Sequence, residues 1–357
     1  MPLDPRTVFR LGALAVIALM VVTLLFRRED PTEEDMIKAF LEATGIPGAV
    51  LAHGPADGAP KVAAVGVSDP VKGTPMQVDQ VLPLASLTKP ITAAAVISLA
   101  DAGQIALDAP LAEQIFLPAP YDPRAASVTP RTLLAHRGGY DRTATFDPVF
   151  EPEKLRLTRE ESCHDLARAA WATLPLDHAP GSTKAYSNIG ICLLTDLLTQ
   201  NGARDLEEAL QTQARITLSG AAGPNWHHTD AGWEQVQDSA AERAWISGLG
   251  AAGGAMGRAE DVWHFAAQIP AASDAPVPDG EAGDFYALGW RIWPGPDGRQ
   301  LTHWGGLQGV FTAMFRFSDG HVVVVLFNGS PSNYSTAFDA LYTGLCQVRN
   351  LECQPAQ

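Results

Sequence analysis

Ser86 and Lys89 stand three residues apart at the start of an apolar, alanine-rich stretch that begins Ser86-Leu-Thr-Lys89. On a helix that spacing puts both side chains on one face, about one turn apart. A hydroxyl beside an amine is what a nucleophilic serine requires, because a free serine is too weak an attacker at neutral pH without a base. The amine can serve if burial and the positive end of the helix depress its pKa. The plain alternative is a serine helix cap followed by a solvated lysine. Two further clusters stand beside this tetrad: Tyr186-Ser-Asn188, about a hundred residues downstream, and His303-Trp-Gly-Gly306, about a hundred beyond that. Tyr186 and Asn188 are two apart, so an extended loop projects both side chains to the same side. Two glycines after a strand allow substrate backbone to approach closely.

The elements around these clusters follow from periodicity. Glu33 to Thr44 carries apolar residues at helical spacing and ends at Gly45. Gly48–His53 and Lys61–Val67 read as strands. Pro90 is tolerable only near a helix start, which places Ser86 and Lys89 at that end. A mostly helical middle runs from Ser86 to about Asp284, broken by proline-rich loops at 118–123 and 271–283, with an apolar helix over Ile189–Leu198. Strands return at Ala287–Trp293, Val310–Phe317 and His321–Phe327, the last two joined by the hairpin signal Ser318-Asp-Gly320. Tyr334–Leu345 reads as a final helix. Strands at both ends with helices between predict an α+β fold: one antiparallel sheet built from residues 31–85 and 286–350, with a helical part, 86–285, inserted.

The three motifs, in this order and spacing, resemble the serine hydrolases of the class C β-lactamase and penicillin-binding protein family. The likeness extends to Leu107-Asp-Ala-Pro110, Leu133-Leu-Ala-His136-Arg-Gly-Gly139, Gly253-Gly-Ala-Met-Gly-Arg-Ala-Glu-Asp261 and Tyr286-Ala-Leu-Gly-Trp290, which look like its scaffold segments. The resemblance implies a β-lactamase/DD-peptidase-like sheet flanked by helices, Ser86 as nucleophile, and Tyr186 sharing acid and base work with Lys89. It also implies that Asn188 holds Lys89 and the substrate amide, that Gly305 and Gly306 border the substrate, and that the Gly306 N–H joins that of Ser86 in an oxyanion hole. His303 would supply a hydrogen bond or a titratable charge near the site. Trp304 departs from the family pattern, where a threonine hydroxyl is usual; indole has one N–H donor and no acceptor. A carboxylate-bearing substrate loses a partner there, although strand alternation also allows Trp304 to point away and serve packing. No cofactor is implied.

Composition narrows the remaining classes. A hydrophobic content of 46% with 18% charged residues suits a globular core. The net charge of −15 and the lack of any basic run argue against nucleic acid as a partner. No metal site is expected: His227 and His228 are adjacent, lack a nearby third ligand and read as a solvated loop. The glycine-rich stretch 250–257 does not fit a phosphate loop. Cys163, Cys192, Cys346 and Cys353 would suit two disulfides in an oxidising compartment, with Cys346 and Cys353 close enough to staple the carboxyl end, or four independent thiols.

Leu11–Phe26 is an apolar run, and 18 residues from Phe9 span about 27 Å, just enough for a hydrocarbon core of roughly 30 Å. It ends in Leu24-Leu-Phe-Arg-Arg28 rather than in small residues, which favours an uncleaved anchor over a cleaved signal. The expectation is therefore an anchor and linker over 1–30 and a hydrolase domain over 31–350. The domain is placed in the periplasm of a bacterium, on the family resemblance, and cleaves an ester or amide. The alternatives are a D-Ala-D-Ala carboxypeptidase or β-lactamase, and a non-catalytic binder of cell-wall fragments. The partners expected are a small-molecule or peptide substrate and the membrane.

Overall fold

The computed structural model describes residues 31–353 except 202–204, 215, 219–221, 238, 269–274, 279–282 and 297. The apolar run Leu11–Phe26 and most of the proline-rich 271–283 loop lie outside the described residues. Among those described, no helix is long and apolar enough to cross a membrane.

The first helix, α1 (Glu33–Thr44), is set by both ends. Thr32 and Asp35 form a reciprocal capping box, and Gly45, at φ 73°, returns its N–H to Leu41 O in a conformation that favours glycine. Then come β1 (Gly48–Pro55), β2 (Lys61–Asp69), the short β3 (Thr74–Pro75) and β4 (Leu82–Pro83). A 3₁₀ turn, Ala85–Leu87, leads into α2 (Thr88–Asp101), so Pro90 falls in the first turn as its missing N–H requires. The helical block continues through α3 (Leu111–Gln114), α4 (Pro130–Leu134), α5 (Cys163–Thr173), α6 (Asn188–Cys192), α7 (Leu194–Thr199) and α8 (Leu206–Gln213). After β5 (Asn225–Thr229) and β6 (Gly232–Val236) come α9 (Ala240–Gly248), α10 (Gly250–Gly253), β7 (Met256–Gly257) and α11 (Ala259–Ala267). The chain then returns through β8 (Phe285–Ala287), β9 (Trp290–Gly295), β10 (Gly298–Leu307), β11 (Val310–Arg316), β12 (His321–Phe327) and α12 (Tyr334–Val348).

Eight of these strands form one sheet in the order β3-β2-β1-β12-β11-β10-β9-β8. All its pairs are antiparallel, and the two chain ends meet at its centre, with Ala49 opposite Phe327 and His53 opposite Val323. One face packs on α1 and α12 through Phe40, Phe311, Phe315 and Phe338; the other packs on the helical block through Val50, Leu301, Met314 and Val324. The architecture is the α+β arrangement expected, with three local differences. The single strand Ala287–Trp293 is two strands, because Leu288 and Gly289 turn with φ of 50° and 81°. The helix Ile189–Leu198 is two short helices. His227 and His228 sit in the β5–β6 hairpin, not in a loop, with the His228 ring 4.9 Å from that of Trp233.

The four cysteines form two disulfides, Cys163–Cys192 joining α5 to α6 and Cys346–Cys353 closing the end of α12.

Candidate active site

Ser86 is carried on the tight turn before α2. Ala85, just before it, has φ 48°, a left-handed conformation costly for a residue with a Cβ. The turn is tied down from both sides: Leu84 N donates to Ala255 O at 2.9 Å, and Thr312 Oγ1 of β11 donates to Leu84 O at 2.9 Å. Strand β10 passes so close that a Cβ on Gly305 would lie 2.7 Å from Ser86 N, 2.6 Å from Thr312 Oγ1 and 2.9 Å from the Ala85 Cβ. Only glycine fits between strand and nucleophile turn.

The structure brings Ser86, Lys89 and Tyr186 together. Lys89 Nζ lies 3.0 Å from Ser86 Oγ and 2.6 Å from Ala252 O, and the Tyr186 hydroxyl donates to the same Ser86 Oγ at 3.0 Å. Lys89 is fully buried, with its ammonium 5.0 Å from the Tyr186 ring centroid. Burial dominates its titration and, with the nearby Arg142 charge, outweighs Asp147 to bring its pKa down to about 7. An amine so placed is a base at neutral pH and, once charged, an acid. Burial, then Tyr286, pushes the Tyr186 phenol well up, so Tyr186 keeps its proton and donates it.

Asn188 is placed differently from expectation. Its side chain borders the same cavity, but its amide donates to Asp147 Oδ2 at 2.7 Å rather than holding Lys89. Asp147 is buried and its pKa is raised, burial outweighing the Asn188 bond. The role expected of Asn188 toward the lysine falls to the Ala252 carbonyl, within the glycine-rich stretch 250–257. Ser187 begins α6 with its hydroxyl accepting from Gly190 N at 3.0 Å, which fixes the segment carrying Tyr186 and Asn188. His136, with its ring 4.3 Å from that of Tyr186, accepts from Ser187 N at 3.3 Å and supports the same segment.

Residues 303–306 divide by strand alternation. His303 faces the Ser86 side yet is buried behind the cavity wall, its Nδ1 2.9 Å from Trp304 O and its ring 5.8 Å from that of Tyr286. Burial, reinforced by the Lys89 charge, holds its pKa at about 3. The titratable charge expected of it is therefore absent near neutrality, and its Nε2 has no hydrogen-bond partner. Trp304 points the other way and stacks on Tyr334, with centroids 6.1 Å apart and planes at 10°, while its edge still borders the cavity. Beyond Thr302, β10 has no β9 partner, so its backbone from His303 to Gly306 has an open edge beside Ser86.

These groups open into a cavity of about 390 Å³. Arg142 and Arg291 also border it; no sequence motif pointed to either. Arg142 is exposed, with its guanidinium 4.5 Å from the Tyr186 ring centroid, whereas Arg291 is paired with Asp284 at 2.6 Å. Serine, low-pKa amine and proton-donating phenol around one oxygen can deliver an activated alkoxide and return a proton to a leaving group.

Comparison with known proteins agrees with this geometry. The family model described as Beta-lactamase matches residues 34–345. Among curated proteins, the chain is 28% identical over 212 residues to the putative fimbrial assembly protein FimD, serogroup D, of Dichelobacter nodosus, covering 57% of this chain and 52% of that protein. It is 36% identical over 138 residues to esterase EstB of Burkholderia gladioli, covering 35% and 33%. It is 30% identical over 156 residues to the D-alanyl-D-alanine-carboxypeptidase/endopeptidase AmpH of Escherichia coli, covering 42% and 37%. The matches span about half or less of the length of these relatives. Among solved structures, SurE superposes with a TM-score of 0.70 at 22% identity, over 97% of this chain and 78% of that one. A penicillin-binding protein from Bacillus halodurans does so with a TM-score of 0.65 at 20% identity, over 85% and 98%. At those identities the structures speak for the fold alone. The family model, matching nearly all of the described residues, goes further: this chain belongs to the β-lactamase family, a family of serine hydrolases.

Proposed function

We propose that this chain hydrolyses an ester or amide through an acyl-enzyme on Ser86. The observation that carries the reading is the pair of 3.0 Å contacts on Ser86 Oγ, from a buried Lys89 and from Tyr186. In this reaction Lys89 takes the serine proton as Oγ attacks the substrate carbonyl carbon. The oxyanion gathers on the Ser86 and Gly306 N–H groups, at the open edge of β10. Collapse breaks the bond to the leaving group, which takes a proton from Tyr186 or Lys89. Water, deprotonated by the same base, then releases the acyl group and restores the serine. Short-chain esters are the favoured substrates, since position 304 faces the α12 side, where Trp304 stacks on Tyr334 and offers a carboxylate no hydroxyl, and EstB is an esterase by name. A second reading, a D-Ala-D-Ala carboxypeptidase or β-lactamase, is favoured by the exposed Arg142 guanidinium at the cavity, a ready partner for a carboxylate.

Intact-protein mass after exposure to a fluorophosphonate, and rates on p-nitrophenyl esters, a penicillin and a D-Ala-D-Ala peptide, test both. Ser86→Ala is expected to lose labelling and nearly all hydrolysis while staying folded. Labelling that persists on another serine ends the nucleophile assignment, and efficient penicillin cleavage selects the second reading.

The reading also includes a tether: Leu11–Phe26 anchors the chain in a bacterial inner membrane with the hydrolase domain in the periplasm. Two disulfides suit that oxidising side. Full-length protein should fractionate with membranes, and protein starting at Pro31 should be soluble. Resistance to protease in intact spheroplasts, followed by digestion after lysis, contradicts the periplasmic placement.

A further inference from the structure

At the far end of the sheet, on the face covered by α1 and α12, three potential metal ligands converge from distant parts of the chain. Glu33 is the first residue of α1, His53 lies near the end of β1, and His321 opens β12. His53 Nδ1 is 3.5 Å from Glu33 Oε2, and His321 Nε2 is 3.3 Å from Glu33 Oε1. One ligand atom from each residue can be chosen so that all lie within 4.8 Å of one another. Zinc bonds of about 2.0–2.1 Å to nitrogen and oxygen give a tetrahedral edge of roughly 3.3–3.4 Å, close to the distance between His53 Nδ1 and Glu33 Oε2, with His321 set against the other oxygen of the same carboxylate.

The second observation concerns hydrogen bonding. His53 is only 6% exposed, and neither of its ring nitrogens has a hydrogen-bond partner; His321 Nε2 meets the Glu33 carboxylate at 3.3 Å. Buried imidazole nitrogens are normally satisfied, so a side chain left bare and aimed at a carboxylate calls for an explanation. One competitor is present: Arg349 Nη1 donates to Glu33 Oε1 at 3.0 Å and also pairs with Asp319. It occupies one carboxylate oxygen and leaves Oε2, the one beside His53.

We propose that Glu33, His53 and His321 form a binding site for a divalent transition metal, best matched by zinc, that fastens the amino- and carboxyl-terminal elements to each other. Two imidazoles and a carboxylate are a common zinc donor set, with a fourth position left for water. The Arg349 charge alongside makes the site weaker than a closed four-ligand one. It lies on the opposite face of the sheet from Ser86, so its occupancy acts on stability rather than on turnover.

The test uses full-length protein in detergent, stripped with a chelator and titrated with zinc chloride by calorimetry. Cobalt(II) chloride is titrated in parallel, read by the intense visible absorption of tetrahedral cobalt. With the four thiols locked in disulfides, cysteine does not compete. The expected result is one equivalent bound, a higher melting temperature, and ester hydrolysis changed less than about twofold. His321→Ala and Glu33→Gln should each weaken binding roughly tenfold or more. His321→Ala, on the less buried residue, remains readable if Glu33→Gln unfolds, and a His227→Ala/His228→Ala variant should bind as wild type does. No uptake of either metal overturns the proposal, as does stoichiometric binding that survives His321→Ala or disappears with the His227/His228 pair.

Discussion

The two faces of the central sheet are built on opposite physical terms. The α1–α12 face is a stack of aromatic rings: Phe315 on Phe338 at 5.5 Å, Phe338 on Tyr342 at 6.1 Å, and Trp304 on Tyr334 at 6.1 Å. Such rings bury large apolar area and contribute stability with little polar desolvation. The helical-block face buries Lys89, Thr88, Thr92, His136, Asp147, Asn188 and His303 around the nucleophile. Each is held by a hydrogen bond, but the ionisable ones among them are disfavoured as ions there. One face stabilises the fold, and the other gives up stability to keep an amine near neutrality.

Lys89 is the sharpest place to test that contrast. Lys89→Met should lower turnover by roughly 10³-fold while leaving a folded protein, because methionine fills the space without a charge to desolvate. The pH dependence carries the same signature. In the folded chain the pKa is lowered from an ordinary 10.5 to about 7. Between those values the unfolded chain holds the extra proton, so the lysine's contribution makes stability rise with pH from about 7 to about 10.5; below 7 that contribution is at its minimum. Wild-type kcat/KM should likewise climb as pH passes about 7. Denaturant melts and rate profiles of wild type and Lys89→Met decide it: an unchanged rate, or a pH slope that survives the substitution, removes Lys89 as the base.

The two disulfides extend the comparison. Cys163–Cys192 lies in the helical block with its cysteines 29 residues apart, and Cys346–Cys353 lies at the terminal face with its cysteines 7 apart. Loop-closure entropy alone predicts losses of about 3.6 and about 2.4 kcal/mol on replacing each pair by serine. Only the first should also slow catalysis, since α6 begins with Asn188. Equal activity loss from both pairs would show that the terminal face also sets the site's geometry.

Trp304→Thr should have the smallest effect, costing about 2 kcal/mol through lost stacking, with little change in the ratio of ester to penicillin turnover. Stability held constant with a tenfold gain on penicillin would instead place the ring among the substrate contacts.

The α1 boundaries were legible because helical period and a glycine stop agree over Glu33–Gly45, and the Thr32–Asp35 capping box seen in the structure fixes the same start. The β5–β6 hairpin was not, since its strands are short, polar and half-exposed, with no alternation to mark them. In the site, Ser86, Lys89 and Tyr186 belong to compact local motifs and could be read in place. Asp147 and Arg142 could not: each is a single residue brought in by tertiary packing, Asp147 from 41 positions before its partner Asn188. The Ala252 carbonyl has no side-chain signature at all, and the glycines around it told only that the stretch does not fit a phosphate loop. The Asn188 contact was misassigned for the same reason, since the motif fixes where the amide sits but not which neighbour it meets.

The pairing of β1 with β12 has a temporal consequence. Ala49 and Phe327 face each other across the sheet, so β1 must wait until β12, far downstream, has been made. At about 5–20 residues per second that wait is on the order of tens of seconds. During it, β1 has only β2 beside it, and most of its residues are ones that end up buried. Contacts this distant in sequence fold slowly, and a bare apolar edge invites pairing with other chains. The sheet that holds the nucleophile therefore closes as a single late event, and the emerging chain must be shielded until it does.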